Sequence, residues 1–170
     1  VGGNYQYAFS TTSHATGKFY HEFTVNANNS GAYDVGSGIT NTNGAVGGGV
    51  GIGADTKSGG HWGNTGDGGF YQNNNAATAS GVTYGTVNDV VGVAVDIGNN
   101  RIWYRVNGGN WNGNPANNPA TNTGGISITP TNTTGLLWVA VSLSGPAGVL
   151  TYNFGATSYA NAAPSGFGNW

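Results

Sequence analysis

The stretch Asp89–Asn107, DVVGVAVDIGNNRIWYRVN, decides the fold class of this chain. It holds two apolar runs joined by Gly98-Asn99-Asn100. Val90, Val91, Val93, Val95 and Ile97 form a β-branched run of the kind that fits a strand buried on both faces. Glycine and asparagine take positive φ at little cost, so the chain reverses tightly between the runs. From Arg101 to Val106 the pattern alternates, with Ile102, Tyr104 and Val106 on one face and Arg101, Trp103 and Arg105 on the other. Two such runs around a short polar turn make a β-hairpin, and a second turn follows at Asn107-Gly108-Gly109.

The same period continues outward in both directions. Asn4–Thr11 places Tyr5, Tyr7 and Phe9 on one side. Lys18–Val25 sets Phe19, His21, Phe23 and Val25 against Lys18, Tyr20, Glu22 and Thr24. Tyr33–Thr40, Gly69–Asn73, Leu136–Ser144 and Val149–Phe154 read as further strands, and Thr83–Val87 as an edge strand. Asn41–Gly69 reads mostly as loop, with one short strand near Val50–Ile52, and Asn110–Gly125 as a long polar loop. No segment keeps a helical period. Short strands separated by turn signals predict a single all-β domain over residues 1–170, built from two packed antiparallel sheets.

Composition narrows the function classes. A chain of 170 residues buries a core without staples, and the absence of cysteine excludes disulfides and thiolate metal sites. Four basic and six acidic residues, net −2, give no electrostatic footprint for nucleic acid and no polybasic membrane patch. No apolar run approaches the length of a membrane span. Asn, Gly, Thr and Ser cover the surface in place of charge, a composition associated with extracellular or virion-surface β proteins. The sequence opens at Val1 without methionine, as a trimmed or partial chain does. The 33 glycines mark turns rather than disorder, because the apolar residues cluster in periodic runs.

Several of these segments resemble the signature strands of SPRY (B30.2-like) domains. Gly17–Val25 (GKFYHEFTV) is similar to the family's GKWYWEV strand, and Asp34–Ile39 to the Val/Gly-rich strand that follows it. Asn88–Asp96 resembles GDVIGVALD, and Arg101–Gly108 its partner TIWFYKNG. Val139–Leu143 resembles PAVSL, with Val139 in place of the proline and Trp138 before it, and Thr151–Gly155 the closing VTVNFG. The segments occur in the family's order from about Gly17 to the end of the chain. The Gly/Asn-rich insertion, the Pro-Ala-Asn-Asn-Pro loop and the Pro164–Phe167 ending look like SPRY-like domains of bacteriophage and prophage proteins. The resemblance implies a bent β-sandwich of two antiparallel sheets with concanavalin-like jelly-roll architecture. It implies a binding role, usually toward a protein or peptide, through loops at one end.

Catalytic constellations are not visible. Glu22 has no acidic neighbour at alternate strand positions. Asp89 and Asp96 flank one strand, about 23 Å apart at the usual rise, which suits turn capping better than hydrolysis. His14, His21 and His61 have neither a G-x-S-x-G partner nor metal-ligand spacing; His21 reads as packed inside, the other two as loop residues. Asp55–Asp67 offers oxygen ligands in a Gly-rich loop, where plain solvated turns outrank calcium. No enzyme activity, cofactor or metal is expected.

Trp103 and Trp138 read as core. Trp62 and Trp111 instead lie in polar Gly/Asn loops beside His61, Asn64, Asn110 and Asn112, and with Tyr71 they form the candidate ligand-binding set. Aromatic rings with amides suit sugars, and suit a protein interface equally well. The plainer reading, in which each tryptophan folds back and plugs the sandwich edge, ranks first. The leading expectation is a non-enzymatic module of a phage or phage-like particle, as capsid decoration, head spike or tail fibre. Such a module sits on the virion surface or outside the cell and docks to its own copies, to other virion proteins or to the host surface. The second expectation is a lectin-like bacterial adhesin that binds a host-surface glycan through Trp62 and Trp111.

Overall fold

A computed structural model describes residues 5–28, 35–41, 51–63, 68–73, 78–128, 135–144 and 148–170. In chain order its strands are β1 (Tyr5–His14), β2 (Lys18–Ala27), β3 (Val35–Thr40), β4 (Ser58–Trp62), β5 (Gly69–Gln72) and β6 (Thr78–Ala79). They continue as β7 (Val90–Asp96), β8 (Arg101–Val106), β9 (Ile126–Ser127), β10 (Leu137–Ser144), β11 (Val149–Asn153) and β12 (Gly168–Asn169). The first sheet runs β1-β10-β3-β4-β5-β6 and the second β11-β2-β7-β8-β9. All these pairs are antiparallel; β12 joins β2 in parallel, beside Phe19 and Tyr20.

The hairpin stands where the alternation put it, with β7 and β8 paired from Val91↔Val106 to Asp96↔Arg101. Asn100 supplies the positive φ of the reversal, at 52°. Asp96 caps the turn, accepting from Asn99 N at 3.0 Å, and pairs with Lys18 Nζ at 3.4 Å. β7 is buried on both faces. Val91, Val93 and Val95 enter the main core between the sheets with Phe23, Val25, Ile39, Ile102, Tyr104, Leu137 and Val139. On the opposite face Ala94 packs with Tyr20 and Trp103, under Trp111, Tyr159, Ala163 and Phe167. Trp103 is fully buried there, its Nε1 donating to Thr123 O at 2.8 Å. The outer face of the second sheet therefore carries a second, smaller core, roofed by the 110–125 loop and the 155–170 segment.

Several local expectations are corrected. β4 crosses the stretch expected to be mostly loop. Glycine weakens a strand signal, yet here a side chain does not fit: a Cβ on Gly60 would lie 2.3 Å from Ile52 Cγ2. Thr83–Val87 is irregular rather than a strand, because β6 takes the edge position and Tyr84 turns inward, its hydroxyl donating to His61 O at 2.6 Å. Ile126–Ser127, for which the sequence carries no strand reading, pairs with β8. Trp138 is half-buried rather than core, since Leu137 and Val139 take the inward positions of β10. His14 and His61 both lie in strands. Tyr33, Asp34 and Val50 lie outside the described residues.

Candidate functional site

The outer face of the first sheet carries a recess of about 310 Å³ lined by Tyr5, Gly51, Ile52, Ala54, Trp62 and Tyr71. Alternation along β4 aims Trp62 outward and His61 inward. The indole lies over glycines: a Cβ at Gly36 would meet Trp62 Cε2 at 2.9 Å, and one at Gly51 would meet Cζ2 at 2.2 Å. Trp62 Nε1 donates to Ile52 O at 2.9 Å, and Ile52 N donates to Ser142 Oγ at 3.1 Å. These bonds clamp Ile52, which precedes β4, onto the sheet. Asp55 organises the turn that leads into β4, accepting from Lys57 N, Ser58 N and Ser58 Oγ, while Ser58 Oγ accepts from Gly53 N. Trp62 is only 5% exposed, so it forms the floor. Half-buried Tyr5, whose ring meets the indole edge-on at 5.8 Å, and half-buried Tyr71 form the walls.

The candidate residues do not converge on one place. Trp62 and Tyr71 share the recess. His61, on the opposite face of β4, is fully buried between Tyr84 and Tyr104. Burial lowers its pKa to about 4. Its Nε2 contacts Ser80 Oγ and Val82 O. A histidine against a serine resembles a nucleophile and base, but Ser80 is 1% exposed and His61 Nδ1 has no orienting partner among the described residues. Trp111 lies on the outer face of the second sheet, with the Arg105 guanidinium 4.4 Å from its ring centre. Asn112 ties that loop down, accepting from Tyr104 N at 2.9 Å and donating to Gly124 O at 3.0 Å. Asn110 is exposed beside it. Asn64 lies outside the described residues. The two tryptophans thus sit on opposite sides of the sandwich. The loop reading missed this for Trp62 because it is a strand residue whose neighbours are glycines.

The carboxylates hold backbone. Glu22, 3% exposed, accepts from Ala160 N at 2.7 Å, Asn161 N at 2.9 Å and Tyr20 Oη at 2.7 Å. Asp89 accepts from Gly85 N and Thr86 N. With Asp96 this is the turn capping expected from their positions. Among the described residues no three His, Asp or Glu side chains gather into a possible metal site.

Two antiparallel sheets with almost no helix define a SPRY-like jelly-roll sandwich. Among solved structures it is similar to the SPRY domain of human HERC1, with a TM-score of 0.67 at 14% identity, covering 92% of this chain and 86% of that one. No protein-family profile matches the chain. No curated protein sequence matches it.

Proposed function

We propose that this chain is a non-enzymatic binding module that attaches to protein, with the aromatic recess on the first sheet as its contact. One observation carries the reading. Every described carboxylate, Glu22, Asp55, Asp89 and Asp96, accepts a backbone N–H bond within the fold. These four carboxylates, the acidic side chains among the described residues, are therefore committed to scaffold, and the recess on the first sheet is lined by apolar and aromatic groups. The SPRY resemblance supports the same role, since it implies protein or peptide binding.

The setting we propose is the surface of a phage or phage-like particle, where the module decorates a capsid, head spike or tail fibre and docks to its own copies or other virion proteins. Sparse charge and an Asn, Gly, Thr and Ser-rich surface support this, together with the phage-like loops. Immunogold labelling of gradient-purified particles from the source tests it: label on the particle surface is expected, and label confined to the soluble fraction overturns it. The recess is tested on the same particles. Tyr5→Ala with Tyr71→Ala should reduce incorporation at least tenfold in a variant whose cooperative urea transition shows that it is folded; undiminished incorporation removes the recess from the proposal. The lectin-like alternative loses the pairing that motivated it, since Trp62 and Trp111 share no surface.

A further inference from the structure

Residues 155–170 leave β11, cross the outer face of the second sheet as a strap, and return to pair β12 with β2. The middle of the strap is held by Glu22 through Ala160 N and Asn161 N, and by Tyr159 Oη donating to Tyr20 O at 2.9 Å. Its end is held by Trp170, whose N donates to Tyr20 O at 3.2 Å and whose Nε1 donates to Ser10 Oγ at 3.3 Å. Trp170 tucks into the end of the main core, where its ring meets His14 at 5.2 Å, Phe19 at 5.7 Å and His21 at 6.0 Å.

The two histidines under Trp170 are poorly provided for. Among the described residues, neither ring nitrogen of the fully buried His21 has a hydrogen-bond partner, and His14 Nε2 has none either. The other rings against His21 are Tyr152 at 5.9 Å and Phe154 at 5.5 Å. We propose that the strap is an acid-released latch, in which protonation of His21 expels Trp170 and frees residues 155–170 from the second sheet while the sandwich stays folded.

Among the described residues an imidazolium in that place has no counter-ion. On β2 its inward neighbours are Phe19 and Phe23, and across the sheet β7 offers Val93. β11 offers Tyr152, whose hydroxyl is paired with Ser37 Oγ. From β1 the titratable group is His14, which adds positive charge rather than balancing it. Glu22 and Lys18 lie on the other face of β2, engaged with the strap and with Asp96. Relief therefore requires water, and Trp170 is the lightest cover, held by two long hydrogen bonds and a two-residue strand. A cavity of about 160 Å³ lined by Phe9, Ser10, Tyr152 and Phe154, among others, opens in the same seam. His61 differs, because it lies in the middle of the first sheet with partners on Nε2.

Burial holds the His21 pKa down to about 3, against a usual 6.5. The closed strap thus refuses a proton that the open strap accepts below about pH 6.5, and opening gains about 25-fold between pH 7 and pH 5. Hydrogen–deuterium exchange of the full chain at both pH values, normalised to intrinsic rates, reads this directly. Protection of the Ala160, Asn161 and Trp170 amides should fall about 25-fold and stay well below that of β7. His21→Phe, which keeps a ring in the seam, should abolish the fall, and His21→Leu provides the same test should Phe unsettle the core. Equal strap protection at the two pH values overturns the latch. So does a strap that shares the protection of β7 at pH 5, or a fall that survives in both variants.

Discussion

Gly60→Ala tests the packing that builds the recess. Gly60 faces Ile52, and an added Cβ would lie 2.3 Å from Cγ2, 2.8 Å from Cγ1 and 3.0 Å from Cβ of that side chain. Carbon atoms in contact rest about 3.5–4.0 Å apart, so Ile52 must retreat by about an ångström or more. It has nowhere to go freely: it is fully buried, its N is bonded to Ser142 Oγ and its O to Trp62 Nε1. Overpacking costs about 1–3 kcal/mol, and losing one of those bonds adds about 1 kcal/mol. The stiffer unfolded chain returns about 0.4–1 kcal/mol. Gly60 is not among the positive-φ residues, so backbone strain does not enter. The net expectation is a loss of about 2–3 kcal/mol, read in urea as a midpoint about 1 M lower at unchanged slope. Gly98→Ala is the control, because the nearest atoms to its added Cβ, at 3.6 and 3.7 Å, are ordinary contacts. It should stay within about 0.5 kcal/mol of wild type. If the two variants unfold at the same urea concentration, the reasoning about a glycine floor under Ile52 is wrong.

Three further outcomes are expected. Glu22→Gln replaces one accepting oxygen with an amide donor facing N–H or O–H groups, and should lower the urea midpoint by an amount equivalent to about 2 kcal/mol; an unchanged midpoint contradicts the anchoring role. Trp103→Ala empties a fully buried indole site and breaks the bond to Thr123 O, for a loss of about 3–5 kcal/mol with earlier proteolysis in the 110–125 loop. Stability should also fall with acid. Burial lowers His21 and His61 to about 3 and 4, so the unfolded chain takes up protons below about pH 6.5 that the folded chain refuses. That removes roughly 4 kcal/mol between pH 7 and pH 5, and thermal melting that is identical at the two pH values would count against it.

The strands were legible wherever side chains alternate and carry bulk. The β7–β8 hairpin, β2 and β11 stand where the period-two pattern places them, because each has one face in the main core. β4 was not legible, since Gly59 and Gly60 carry no side chain to show the period, and the reason they are glycine lies in Ile52, remote in its own loop. The recess was legible only in part: Trp62 and Tyr71 were visible, while Tyr5 and Ile52 reach them from other segments. Alternation also says nothing about what covers an outer face. Trp103 and Trp138 both point away from the main core, yet the first is roofed by loop and strap and the second is half-buried. Tyr84 shows the reverse failure, a core ring on backbone with no regular pattern.

The internal use of charge has a consequence for how this domain meets other molecules. With four basic and six acidic residues in 170, net −2, and with Asp96 paired to Lys18, few fixed charges are present to project a field into solvent. Encounter then proceeds without electrostatic steering, at the pace that diffusion and orientation set. Affinity should change little between dilute buffer and molar salt, where a charge-matched interface would dissociate.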